Sequence, residues 1–319
     1  MRVSELKPHE NDNLLVSFRF RSSQTRTPHN DTNFGIRTLG GIVDEFAYCA
    51  QLVRQADRDR FVASLFAPAE KRDALYALYA FNAEIARVRE AAHAALPGEI
   101  RLQWWSDVIA GERGGEARAN PVAAALIIVM ERYQLPPSRL IGMVEARRFD
   151  LYDEPMRDLV QLETYARQTS SALFALAAQI LAEVEADAIL ASAGVAYTIT
   201  DLLRSLPLQI ARRQFYLPTT LLAEFGVDRH DLSAGQPSPG LEAALGELRA
   251  FARRQLVSVR EQMAKFPPPA IPALLPLAVV GPLLNRLEKS PAFHPADIPL
   301  WRRQWLIWRA ARDTKRIAR

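Results

Sequence analysis

A chain of 319 residues, 49% of them hydrophobic, has ample material for a buried core, as one large domain or two small ones. Forty basic against 36 acidic residues leave a net charge of +4, too mild across the whole chain to suggest nucleic acid, and no nucleic-acid partner is expected. Cys49 is the only cysteine, which excludes an intrachain disulfide and a Cys-rich metal cluster and fits a reducing compartment.

Residues 1–43 are rich in Asn, Ser, Thr and Arg. They lack the apolar core of a secretory signal and the acid-poor character of a transit peptide, so they read as a disordered N-terminal extension or a stretch ahead of the true start. Residues 44–319 then read as a single all-α domain: Ala, Leu, Arg and Glu dominate long windows, with no alternating β-branched runs. Breaks are expected at Pro68, Pro97-Gly98, Gly111–Gly115, Pro136-Pro137, Pro155, Pro218, Gly235–Gly240 and Pro267–Pro269, delimiting eight or more helices. The most apolar stretch, Ile271–Leu284, is short and interrupted by prolines, so no spanning helix is expected.

Two helical segments are the most informative, Ala74–Ala92 and Ala193–Pro218. In the first, Leu75, Leu78, Tyr79 and Ile85 recur at three- and four-residue steps, and Asn82, Ala86 and Arg89 continue that face inward, where a polar group must find a partner or line a cavity. Glu84, Arg87 and Glu90 have the spacing of a solvated charge ladder. In the second, Tyr197, Asp201, Ser205 and Gln209 fall four apart, one face unless Pro207 bends it. Between the two segments, Trp104 and Trp105 suggest core packing. Gly111–Gly115 lacks the Lys-Ser/Thr of a phosphate loop and reads as a turn. His9, His29, His93, His230 and His294 have no metal-site pairing and read as surface or loop residues.

At the C-terminus, Trp301, Trp305 and Trp308 fall at i, i+4 and i+7, with seven basic residues against Asp313 over residues 300–319. The expectation is a helix that packs its Trp stripe on the domain. Its basic end is left for an anionic membrane surface or a partner.

The stretches Ala74–Glu90, Leu102–Asp107, Glu145–Asp150, Tyr165–Ser171 and Gly194–Pro218 resemble the squalene and phytoene synthases, which join two isoprenoid diphosphates head to head. The resemblance covers most of residues 47–310 and implies an isoprenoid-synthase-like helical domain with a central cavity. Family members hold magnesium between paired acids on two facing helices, because hard divalent ions bridge substrate phosphates to carboxylates. Here the first motif reads Ala86-Arg87-Val88-Arg89-Glu90, and Ser205 and Gln209 stand at the second pair. Arg87 and Arg89 would oppose a cation, and Glu90 alone, the one weak metal candidate, makes no two-ion cage. Thr169, Ser170 and Ser171 replace the family's Val-Ala-Gly stretch, altering a close-packed small-residue site.

The Asn82–Arg89, Gln103–Trp105, Tyr165–Ser171 and Leu203–Pro207 segments more narrowly resemble the phytoene-synthase-like assembly factors of respiratory complex I. That resemblance implies a non-catalytic protein with no cofactor, acting on complex I subunits or assembly intermediates. Its place would be the cytoplasmic side of a bacterial inner membrane or the mitochondrial matrix side. Arg87, Arg89, Asp150, Asp201, Arg204, Arg212, Arg213 and Tyr216 form a set for an anion or a lipid diphosphate. The alternatives are an active prenyl transferase on farnesyl or geranylgeranyl diphosphate, its magnesium held by Glu90, Asp150 and Asp201, or a non-catalytic carrier of a prenyl lipid.

Overall fold

The computed structural model describes residues 44–92, 94–183, 187–228, 231–232, 235–294 and 296–319. The disordered extension expected over residues 1–43, and His9, His29, His93 and His230, lie outside the described residues. Asp44 caps helix α1 (Glu45–Ala56) by accepting from the backbone N–H groups of Phe46 and Ala47, both at 3.1 Å. Asp57 ends that helix and caps α2 (Arg58–Ser64) through the Arg60 N–H. Among the described residues there is no strand, as the composition predicts.

Helix α3 (Ala69–Ala86) begins after Pro68, and its residues Ala74–Phe81 are all buried. It is therefore a central helix closed on every side rather than the one-faced helix its spacing suggests. Its wall is made by α1, by α7 (Pro121–Tyr133) and by α10 (Ala172–Ala182). The chain breaks at Arg87 and resumes as α4 (Val88–Ala92), so Ala74–Ala92 is two helices. The expected charge ladder does not form: Glu84 instead meets Arg101 at 2.7 Å, from α5 (Ala95–Ile109).

Pro97 sits in the first turn of α5, where its missing N–H leaves no bond unmade, so Pro97-Gly98 starts a helix rather than separating two. Gly98 lets the Leu151 side chain pack directly on α5, since a Cβ there would come within 2.4 Å of its methyl group and push it aside. Gly111 turns the chain at φ +84°, and Gly114-Gly115 already belong to α6 (Gly114–Ala119). Trp105 packs edge-on to Phe81 at 5.1 Å in the core, whereas half-buried Trp104 donates its indole N–H to Glu116 at 2.9 Å.

Helix α8 (Pro137–Ala146) leads through the 3-10 segment Arg147–Leu151 to α9 (Leu159–Ala166) and the π-helical turn Arg167–Ser171, which runs into α10. Close packing at this site is kept by a glycine on the facing helix. A Cβ on Gly194 of α11 (Asp187–Arg204) would lie 2.2 Å from the Ser171 backbone N, so only glycine lets the two elements meet there.

The segment Ala193–Pro218 also breaks, at Ser205, and continues as α12 (Leu206–Ala211) with Pro207 in its first turn. Pro207 has no N–H for the Leu203 carbonyl and its ring crowds that group, so the helix cannot run through. Beyond lie α13 (Thr219–Glu224) and the long α14 (Pro239–Gln262), which packs along α11. The apolar stretch judged too short from its prolines is one continuous helical run, Pro268–Glu288, containing α15 (Ile271–Leu274) and α16 (Val280–Glu288). It is long and apolar enough to cross a membrane, and 78% of its most apolar window is buried inside the fold.

The last helix, α17 (Leu300–Arg312), corrects the expected placement of the tryptophans. Trp301, Trp305 and Trp308 are 70%, 45% and 41% exposed, while Ile307 and Ala310 are the buried residues. Spacing alone sets which residues share a face; here the opposite face, with Arg303, meets the body.

Candidate functional site

Where α3, α4, α11, α12 and α17 converge with the α1–α2 junction, they enclose a cavity of about 680 Å³. Tyr197, Asp201, Ser205 and Gln209 all line it despite the break at Ser205, as do Asn82, Ala86, Arg89 and Glu90. Of its 32 lining residues, eight are arginines and six are carboxylates. The interior is thus built of charge, with apolar side chains such as Leu173, Leu202 and Leu208 in the minority.

Each carboxylate already faces a guanidinium. Glu90 bonds Arg212 across the cavity mouth, joining α4 to the segment after α12. Asp201 meets Arg204 at 2.6 Å, and Arg204 reaches Asp297 at 3.1 Å. Asp297 in turn meets Arg303 of α17 at 2.8 Å, and Arg303 bonds the buried Asp59. This chain of charges fastens the last helix over the cavity. Burial raises the Asp59 carboxyl above its ordinary range, and the hydrogen bonds and charge of Arg303 offset part of that rise.

Asp150 is a fully engaged anchor. Its carboxylate accepts from the Tyr216 hydroxyl at 2.7 Å, the Tyr165 hydroxyl at 2.9 Å and Arg147 at 3.1 Å. Burial holds both phenols above their usual range, so they act as donors near neutral pH rather than as bases. The Nε of Arg147 is buried with no partner among the described residues. Arg60, also buried, meets Asp57 at 2.5 Å and lies over the rings of Tyr197, Phe174 and Tyr79 at 4.6, 5.6 and 5.7 Å. An arginine enclosed by aromatic faces keeps its charge at modest cost because the ring quadrupoles replace part of its hydration.

At the second motif the replacements are structural. The Ser205 hydroxyl donates to the Asp201 carbonyl at 2.7 Å. The Gln209 side-chain N–H donates to the Leu202 carbonyl and to Ser205 Oγ, both at 2.8 Å. These bonds tie α12 back to the last turn of α11 across the Pro207 break, the Asp201 carbonyl accepting the Ser205 N–H as well as its hydroxyl. Gln209 Oε1 remains buried without a partner among the described residues.

The other sequence-derived candidates divide. Arg89 spends its guanidinium on protein, donating to the carbonyls of Asp150, Tyr152 and Arg212 and pairing with Asp153 at 2.6 Å. Arg87 lines the cavity, exposed and without an ion pair among the described residues, as does Arg58. Arg213 is exposed at φ +56° and is not among the lining residues. The sequence reading missed Arg58, Arg60, Arg147, Asp297 and Arg303. Asp57–Arg60 reads as an ordinary charged helix start, and nothing local links Arg303 to a carboxylate 244 positions away.

A pair of magnesium ions needs several free carboxylate oxygens converging on one point. Among the described residues no three His, Cys, Asp or Glu side chains are grouped to hold a metal ion. With Ala86, Ser205 and Gln209 at the motif positions and every cavity carboxylate ion-paired, the donor set does not fit that cage. Residues 53–309 match squalene/phytoene synthase throughout. The chain belongs to the squalene/phytoene synthase family.

Within this family, a Rattus norvegicus protein named NADH dehydrogenase (ubiquinone) complex I, assembly factor 6, is 29% identical over 260 residues, covering 80% of this chain and 78% of its own. The phytoene synthase of Thermus thermophilus is 29% identical over 199 residues, 60% of this chain and 66% of its own. A crystal structure of a dehydrosqualene synthase with ligand shares the fold with a TM-score of 0.73 at 20% identity, covering 85% of this chain and 96% of that one.

Proposed function

We propose that this chain is a non-catalytic member of the squalene/phytoene synthase family that acts as an assembly factor for respiratory complex I, the NADH:ubiquinone oxidoreductase. The observation that carries the non-catalytic part is the pairing of all six cavity carboxylates with arginine, together with Ala86, Ser205 and Gln209 at the motif positions. Departure of pyrophosphate depends on cations stabilising its developing charge, and arginines already bonded to carboxylates have little positive charge left to offer. The complex I part is supported by relatives whose names say they are assembly factors. On this reading the protein uses no cofactor. It meets complex I subunits or assembly intermediates at the cytoplasmic face of a bacterial inner membrane or in the mitochondrial matrix. Arg58 and Arg87 leave the cavity mouth positive, so an anion or the headgroup of a prenyl lipid would bind there without turnover.

Two experiments test this. Purified protein is incubated with farnesyl or geranylgeranyl diphosphate, magnesium and NADPH, beside a synthase whose acid pairs are intact, and pyrophosphate release is followed. Release above the blank would refute the non-catalytic reading. Deletion of the gene should deplete assembled complex I on native gels, restored by the intact gene; undiminished complex I would refute the assembly role.

A further inference from the structure

Helix α17 has two faces with different owners. At about 100° per residue, Trp301, Trp305 and Trp308 fall within roughly 60° of one another around the axis, and Arg303, Ile307 and Ala310 lie on the other side. The inner face is fixed to the body by the Arg303 bonds to Asp59 and Asp297 and by burial of Ile307 and Ala310. The outer face therefore holds its indoles in the open. Three tryptophans in one exposed row are unusual on a surface that meets only water.

The charges around the row indicate what covers it. Arg309 lies over the Trp305 ring at 4.4 Å and Arg312 over Trp308 at 3.9 Å. Arg302, Arg309, Arg312 and Lys315 have no ion pair among the described residues, and the one acid of the segment, Asp313, is taken by Arg316 at 2.9 Å. Indoles favour the level of lipid headgroups, where the ring meets acyl chain and the N–H meets water, and arginines stacked on them reach phosphate. The long apolar run Pro268–Glu288 is buried in the fold and does not provide this contact.

We infer that α17 is a membrane-docking helix, lying in the plane of an anionic bilayer with Trp301, Trp305 and Trp308 inserted at headgroup depth and Arg302, Arg309, Arg312 and Lys315 on lipid phosphates. Since α17 also roofs the cavity through Leu300 and Arg303, docking places the cavity beside the bilayer.

The test uses the full chain in co-sedimentation with vesicles of phosphatidylcholine alone or with about 30 mol % phosphatidylglycerol. Partition should favour the anionic vesicles by roughly tenfold or more at low salt and weaken as salt rises. Combined Trp301→Ser, Trp305→Ser and Trp308→Ser should reduce partition by roughly tenfold or more. Combined Arg302→Gln, Arg309→Gln, Arg312→Gln and Lys315→Gln should abolish the preference for anionic vesicles. Both variants should stay close to the parent's melting temperature, because neither replaces a buried residue. Tryptophan fluorescence should shift to the blue on vesicles in the parent only; buried Trp105 and half-buried Trp104 give the constant background. No partition by the parent, or unchanged partition by the Trp variant, would overturn the inference. So would a concentration-dependent dimer in sedimentation velocity that the Trp variant loses, since a second copy would then cover the row.

Discussion

At the scale of single residues, Gly194 packs against Ser171 so tightly that a Cβ would strike the Ser171 backbone. The Ser171 hydroxyl donates to the Ala191 carbonyl at 2.9 Å, and Thr198 donates to Ser170 at 2.7 Å, so α11 and the π turn are bonded as well as packed. Since an added Cβ meets backbone rather than a movable side chain, Gly194→Ala should destabilise the fold by about 1–3 kcal/mol or more, read as a lowered urea midpoint. Cys49 gives a second test. It is fully buried, and desolvation pushes its thiol up to about 12. Native protein near pH 8 should therefore not react with a disulfide reagent, while denatured protein should release one equivalent.

At the scale of elements, the decisive contact is Arg303, which fastens α17 to Asp59. The two side chains are 12% and 5% exposed, so Arg303→Gln strands a buried carboxylate and should cost about 3–5 kcal/mol. The sign with pH follows from the raised Asp59 carboxyl. A group whose folded pKa is raised favours the folded state below its unfolded pKa, and that advantage is lost as pH rises through the folded value. Without Arg303 the carboxyl rises further, so the deficit should be largest near neutral pH and shrink on acidification as Asp59 takes up its proton.

Much at this scale was legible beforehand. The helical class and the start after Pro68 follow from period and spacing, whereas the cavity lined by Tyr197, Asp201, Ser205 and Gln209 was implied by the family resemblance and survives the break at Ser205. What was not legible depends on partners remote in sequence. Period placed the three tryptophans on one face but could not say which face meets the body, because Arg303 and its carboxylates decide that. The break at Arg87 similarly accompanies bonds that Arg89 makes to carbonyls more than sixty positions away.

At the scale of the whole molecule, the polar interior predicts a steep alkaline limit. Burial raises the phenols of Tyr48, Tyr76, Tyr79, Tyr165, Tyr197 and Tyr216 along with the Cys49 thiol. Above the ordinary thiol and phenol range the unfolded chain therefore holds fewer protons than the folded one. Stability must fall there as pH rises, by up to about 1.4 kcal/mol per pH unit for each such group. Phenolate absorbance from these tyrosines should appear together with loss of helical circular dichroism; phenolate formation ahead of unfolding would show that they are not protected.

The second motif also limits which side chains the α11–α12 joint tolerates. Ser205 and Gln209 bond across the joint where Pro207 interrupts it. An aspartate at either place would set carboxylate oxygens beside the Asp201 or Leu202 carbonyl to which the present side chain donates. Replacing the missing acids one at a time would loosen the α11–α12 joint before any cation site existed to reward it. A cation site introduced at this joint would therefore lower the stability of the scaffold that must hold it.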